Sequence, residues 1–159
     1  MAILSPSILS ADYMHFHAEA NGVFWGLRQE HDAIDMAGAV MEGVSFVLRK
    51  NCDHIAANGV KLSSIIATGG GAKSAIWCQM QADITGLPVS IPKEKEAACL
   101  GAAMIAAVSD GRFAGYKEAA DHCVAMLHQY QPHPTARLEK KYRRFCALYN
   151  AALAINAID

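Results

Sequence analysis

Three consecutive glycines, Gly69-Gly70-Gly71, follow the apolar stretch Leu62–Thr68 and precede a helical pattern that begins at about Ala72. No side chain stands on that turn, so a ligand can approach its backbone, and positive φ costs little there. The N–H groups that open the following helix, with about half a positive charge from the aligned peptides, attract an anion, phosphate first among them. Ser74 adds a hydroxyl able to donate or accept, and Lys73 either reaches a phosphate or points to water. The spacing fails as a Walker A loop, because Ala67 and Ala72 occupy its two glycine positions, and it fits the dinucleotide fingerprint only at Gly69 and Gly71, with Ser74 in third place. On spacing alone, a tight turn that lets strand and helix pack closely is the competing reading.

Elsewhere strands and helices alternate. Ile3–Leu9 and Gly22–Leu27 read as short strands, the second placing Phe24 and Trp25 in the core. Asp32 and Asp35 form an acidic variant of the capping box, opening a long helix that ends at Asn58-Gly59. Its apolar row is Ile34, Ala37, Met41, Val44, Leu48, Cys52 and Ile55, with Gly38 and Gly43 marking close packing against a neighbour. Leu62–Thr68 reads as a buried strand, about Ala72–Thr85 as a helix stopped by Gly86, and Val89–Ile91 as a strand. Glu96–Val108 is helical and closed by Gly111, Tyr116–His128 is amphipathic, Gln129–His133 is a loop, and Thr135 caps a last helix. That order predicts an α/β layer architecture with at least one parallel strand pair.

Composition narrows the function classes. With 159 residues, 53% hydrophobic, the chain fits one globular domain rather than a disordered one. A net charge of −1 lacks the footprint of a general nucleic-acid binder. The longest apolar run, Ala97–Val108, falls short of the ~20 residues of a membrane span, and no secretory signal opens the chain, so a cytoplasmic protein is expected. Cys52, Cys78, Cys99, Cys123 and Cys146 are odd in number, widely spaced and set in apolar helical stretches, which suits small buried hydrophobes rather than zinc ligands or disulfides. His15 and His17 lack a third metal ligand nearby. Arg137, Lys140, Lys141 and Arg144 share one face of the last helix, read as solvated, beside a core-facing row of Leu138, Tyr142, Phe145 and Leu148.

Five motifs in order alter the weight of the glycine turn: Gly22–Leu27, Ala39–Phe46, Thr68–Ser74, Ala82–Val89 and Glu96–Ala103. Over about Asn21–Leu153 this series resembles the C-terminal domain of FGGY-family carbohydrate kinases, xylulokinases most closely. The resemblance implies an actin-like, ribonuclease-H-like ATPase domain, a mixed sheet flanked by helices. It implies ATP, with Mg2+ in the complete enzyme, as cofactor: Gly69, Gly70 and Gly71 would lay backbone against the ribose and α-phosphate, and Ser74 would lie beside the adenine. Asp83 and Glu96 match recurrent family positions, read as helix-end and inter-element hydrogen-bonding groups. Gly38 departs from the arginine that the family often carries there.

In that family the proton-accepting aspartate and most sugar contacts precede the region matched. The resemblance therefore implies an adenine-nucleotide-binding lobe of a kinase for a pentulose-type sugar such as xylulose, inactive alone, the sugar binding only with the other lobe. No catalytic residue or metal ligand is assigned in this chain. Ala2–Tyr13 instead resembles the opening strand of ribulose-phosphate 3-epimerase, with Ser10 at a substrate-contacting position. Residues 1–20 are thus expected to be a foreign leader, adding at most an edge strand, and 21–159 the kinase domain. Two other classes stay open: a non-catalytic nucleotide-binding module, self-associating through an exposed apolar wall, and an epimerase-related fragment.

Overall fold

The computed structural model describes residues 2–4, 22–94, 96–156 and 158. His15, His17 and the rest of the leader beyond Ala2–Leu4 lie outside them. Asp32 does open the first helix, α1 (Ala33–Ala57). Its Oδ1 accepts from the N–H groups of Ile34 and Asp35, both at 2.9 Å, while Asp35 Oδ2 accepts from Asp32 N–H at 3.3 Å. Two carboxylates thus satisfy three backbone donors at the positive end of the helix.

The buried face of α1 is not the row expected. Ala39, Gly43, Ser45, Phe46 and Val47 are buried, whereas Ile34 is 80% exposed. Apolar residues surround this helix, and its neighbours decide which ones are covered. Phe46 meets Tyr142 and Phe145 of the last helix, α5 (Ala136–Asn156), with ring centroids 5.8 and 5.3 Å away. Gly43 is buried, as its small size suggested, but nothing stands within 4 Å of a Cβ built on Gly38. The core runs through Phe46, Val47, Ile84, Tyr142, Phe145, Tyr149 and Ala152.

Two sheets form. β1 (Ala2–Leu4) pairs antiparallel with β2 (Val23–Trp25). From β2 only Val23 reaches the core; Phe24 and Trp25 are 39% and 52% exposed, because no other described strand extends this pair. In the second sheet β4 (Val89–Pro92) lies between β3 (Ile65–Ile66), parallel to it, and β5 (Met126–Tyr130), antiparallel. The parallel pair is the one expected. β3, however, is two residues long and Ile66 is 57% exposed, since it is an edge strand rather than a buried one.

β5 replaces the end of the amphipathic segment expected to reach His128 and the start of the loop expected from Gln129. The helix there, α4 (Tyr116–Cys123), stops earlier, and Met126–Tyr130 extends beside β4. Four of its five residues are exposed, so it carries no period-2 apolar alternation. Its register is held from outside, by backbone pairing and by Gln129 Nε2 donating to the buried Ser90 hydroxyl at 2.9 Å. α2 (Ala75–Thr85) covers the sheet through Cys78 and Ala82 against Val89, and ends as expected at Gly86, in the left-handed region at φ 72°.

α3 (Ala97–Ser109) is helical as expected, yet none of its residues is buried; it packs on α4. Cys99 is therefore exposed, while Cys78 is buried as a small hydrophobe. In the basic stripe of α5, Arg137, Lys140 and Arg144 are solvated, but half-buried Lys141 pairs with Glu42 of α1. No helix among the described residues is long and apolar enough to cross a membrane.

Candidate functional site

β3 and β4 run parallel and deliver Ala67-Thr68-Gly69 and Ile91-Pro92 to the same end of the sheet. The crevice outside the carboxyl ends of parallel strands is where open α/β sheets bind ligands. A cavity of about 330 Å3 opens there, with Ala67, Ala72, Ile91, Pro92 and Leu127 as apolar walls and Thr68, Gly69, Lys73 and Glu94 as polar edge. That size lies at the small end of ordinary ligand sites.

The glycine turn shapes one wall. Gly69 sits at φ 76°, where a side chain would be strained. The chain then closes a 3-10 turn over Gly71–Lys73: Lys73 N–H donates to Gly70 O and Ser74 N–H to Gly71 O, each at 3.2 Å. The N–H groups of Gly70, Gly71 and Ala72 find no acceptor among the described residues. Ser74 then caps α2, its Oγ accepting from Trp77 N–H at 3.3 Å. The anion-ready donors thus belong to a 3-10 turn ahead of the α-helix, not to its first turn as the sequence suggested.

The four predicted site residues therefore part company. Gly69 lines the cavity, and Gly70 follows it with open space where a Cβ would stand. Gly71 is packed from behind, since its Cβ would meet the Trp77 ring at 3.3 Å. Ser74 is outside the cavity lining, with its oxygen committed to the cap. Lys73, left undecided by sequence, does line the cavity.

Thr68 and Glu94 are lining residues that sequence reasoning did not assign. The available signal was position: each follows a strand of the parallel pair at its carboxyl end. Glu94 Oε1 accepts from the N–H of Glu96 at 3.1 Å. Glu96 stands at the cap position of α3 without a side-chain capping bond, so its helix-end place is as expected but no inter-element bond runs from its side chain. Asp83 does link elements: its Oδ1 accepts from Gln79 Nε2 and from the N–H of His133, both at 2.8 Å. Burial pushes the Cys78 thiol up from its ordinary range, which keeps it protonated beneath the turn.

Among the described residues no group of three or more His, Cys, Asp or Glu could hold a metal ion. A larger cavity, about 540 Å3, lies along α5 beside Lys140, Arg143 and Arg144. Its described lining is residues of α5 alone, with no strand end, so the glycine-turn cavity brings more elements together.

A model of the FGGY family of carbohydrate kinases, C-terminal domain, matches residues 14–109, opening inside the stretch expected to be a foreign leader. Xylulose kinase of Staphylococcus xylosus is 30% identical over 145 residues, 91% of this chain and 30% of that protein. The chain spans a third or less of the length of the curated relatives it matches, 30% of the Staphylococcus xylosus enzyme and 32% of the xylulose kinase of Staphylococcus epidermidis. Among solved structures, the ligand-bound xylulose kinase from Lactobacillus acidophilus superimposes with a TM-score of 0.76 at 31% identity, covering 85% of this chain and 28% of that one. Plasmodium falciparum glycerol kinase with ADP shares the fold, with a TM-score of 0.72 at 20% identity over 91% of this chain and 28% of that one.

Proposed function

Because the chain belongs to the FGGY family of carbohydrate kinases and corresponds to its C-terminal domain, we propose that it is the lobe that holds the phosphoryl donor, ATP, for a pentulose-type sugar such as xylulose. One observation carries this reading. The N–H groups of Gly70, Gly71 and Ala72 have no acceptor among the described residues, and Ala72 and Lys73 line a cavity built on parallel strand ends. Fixed N–H groups and a lysine suit phosphate oxygens, with the donors already oriented before the ligand arrives. Glu94 can only accept hydrogen bonds when ionised, which suits ribose hydroxyls and repels phosphate, so the nucleotide lies with its ribose toward Glu94. The glycerol kinase that shares this fold was solved with ADP, which favours an adenine nucleotide here.

In the complete enzyme phosphoryl transfer would join a sugar hydroxyl oxygen to the γ-phosphorus as the bond to the bridging oxygen of ADP breaks, the hydroxyl proton passing to the aspartate of the other lobe, and Mg2+ would supply neutralisation of the phosphate charge. The share of this chain is to bind and orient the donor. The 159 residues alone are expected to give no turnover above blank with D-xylulose and MgATP in a coupled assay.

Thermal shift of the full chain with ADP tests the binding claim. At about 100 times Kd, ADP stabilises a single-site binder by about 2.7 kcal/mol, and each kcal/mol is worth about 2–4 °C in a domain of this size. No shift at millimolar ADP overturns the reading. A second reading, self-association with another copy, draws on α3, an apolar helix with no buried residue and with Ile105 56% exposed. Sedimentation velocity over a concentration series tests it, and a constant monomer value discards it.

A further inference from the structure

We propose that Trp77 is the positioning residue of this site, tying the glycine turn to α1 so that its free N–H groups hold their aim. The inference rests on the turn being the nucleotide cradle, and it adds what holds that cradle still. A run of three glycines has little stiffness of its own, because each lacks a Cβ to restrict φ and ψ. A donor set that must be preorganised for phosphate needs an outside brace.

The brace is visible. The Trp77 ring stands against Gly71: a Cβ added there would meet ring carbons at 3.3 and 3.5 Å, the nearer of them tighter than ordinary contact. The indole is itself anchored, Nε1–H donating to Ser45 Oγ at 3.3 Å. Ser45 is fully buried in α1, and its hydroxyl donates onward to Met41 O at 2.8 Å. The turn therefore connects through one rigid side chain to the middle of the longest helix. Two neighbours of Trp77 add to the hold. Cys78 Sγ lies 3.8 Å from Gly71 O and 3.7 Å from Ala72 O, and Ser74 caps the helix on the N–H of Trp77 itself. Glycine at position 71 is thereby explained without a ligand: a side chain there would push against the brace.

Two readouts on the full chain test the role. The first needs no ligand: amide hydrogen exchange at Lys73 and Ser74, whose N–H groups close the 3-10 turn on Gly70 O and Gly71 O. In Trp77→Leu these two amides should exchange at least fivefold faster, while Gly86 N–H, bonded to Ala82 O at the far end of the same helix, keeps its rate. Trp77→Phe retains a ring behind Gly71 and should stay within twofold of the wild type. Equal rates in Trp77→Leu and wild type, or equal acceleration at Gly86, overturn the proposal.

The second readout is ADP affinity by calorimetry in a double-mutant cycle. Gly71→Ala should weaken ADP at least fivefold in the wild-type background and less than twofold in Trp77→Leu, where the ring is gone. Equal losses in both backgrounds overturn the coupling. A wild-type chain that binds no ADP removes the nucleotide reading, and the exchange rates then decide the bracing role alone.

Discussion

Replacing Gly70 by alanine should move stability and binding in opposite directions. Gly70 has φ −61° and ψ −43°, a right-handed conformation that any L residue adopts, and no atom lies within 4 Å of its added Cβ. Alanine at such a position stabilises the fold by about 0.4–1 kcal/mol, by narrowing the unfolded ensemble. In a domain of this length that raises Tm by about 1–4 °C. The open space the methyl enters, however, adjoins the donors assigned to phosphate. Losing one hydrogen bond to a charged group costs about 1.5–3 kcal/mol, a weakening of roughly 10- to 150-fold in ADP affinity. Differential scanning fluorimetry with and without ADP reads both effects in one plate: the free protein melts higher, and the ADP-induced rise shrinks. Gly69→Ala is the contrast, because φ 76° makes alanine cost about 1–2 kcal/mol whatever the ligand does. A Gly70→Ala protein that binds ADP as tightly as the wild type would falsify the claim that backbone meets ligand at this point. One that melts lower would refute the local geometry.

Three further outcomes follow from the fold. Phe145 is 1% exposed among Phe46, Tyr142 and Tyr149, so Phe145→Ala should destabilise by about 3–5 kcal/mol in urea titration; a loss below 1 kcal/mol would mean that the α1–α5 core is misplaced. Under native conditions Ellman's reagent should modify exposed Cys99 first and spare buried Cys78, whose thiol burial holds protonated; peptide mapping that finds Cys78 among the fast sites contradicts the packing under the glycine turn. The Glu139 carboxyl is held below its ordinary range, first by the hydrogen bond from Arg49 at 2.7 Å and then by Arg143. A depressed folded value means stability fully present above the unfolded value of about 4.3 and lost as pH falls from there through the lower folded value. Glu139→Gln should therefore unfold at lower urea than wild type at pH 7, with the gap narrowing as the pH falls below about 4.3; a gap independent of pH removes the ion pair from the account.

What could be seen in the sequence was the chemistry that acts over three or four residues. The Asp32–Asp35 box, the stop at Gly86 and the cap at Thr135 are local hydrogen-bond solutions, and each stands where it was expected. What could not be seen depends on which partner arrives. β5 exists because β4 offers it a backbone edge, and the buried side of α1 is chosen by Phe145 and Tyr142, about a hundred residues further on. Glu94 joins the cavity because β4 lies parallel beside β3, a pairing that no short window contains.

The glycine triplet shows the same division inside one motif. To the eye Gly69, Gly70 and Gly71 are equivalent, three absent side chains that admit a ligand. In the fold they differ: the first supplies a backbone angle, the second has open space where a side chain would stand, and the third yields to an indole ring. Only the second has no reason in the fold to be glycine. The binding proposal is therefore tested most cleanly at Gly70, the position at which removing the glycine costs the fold nothing.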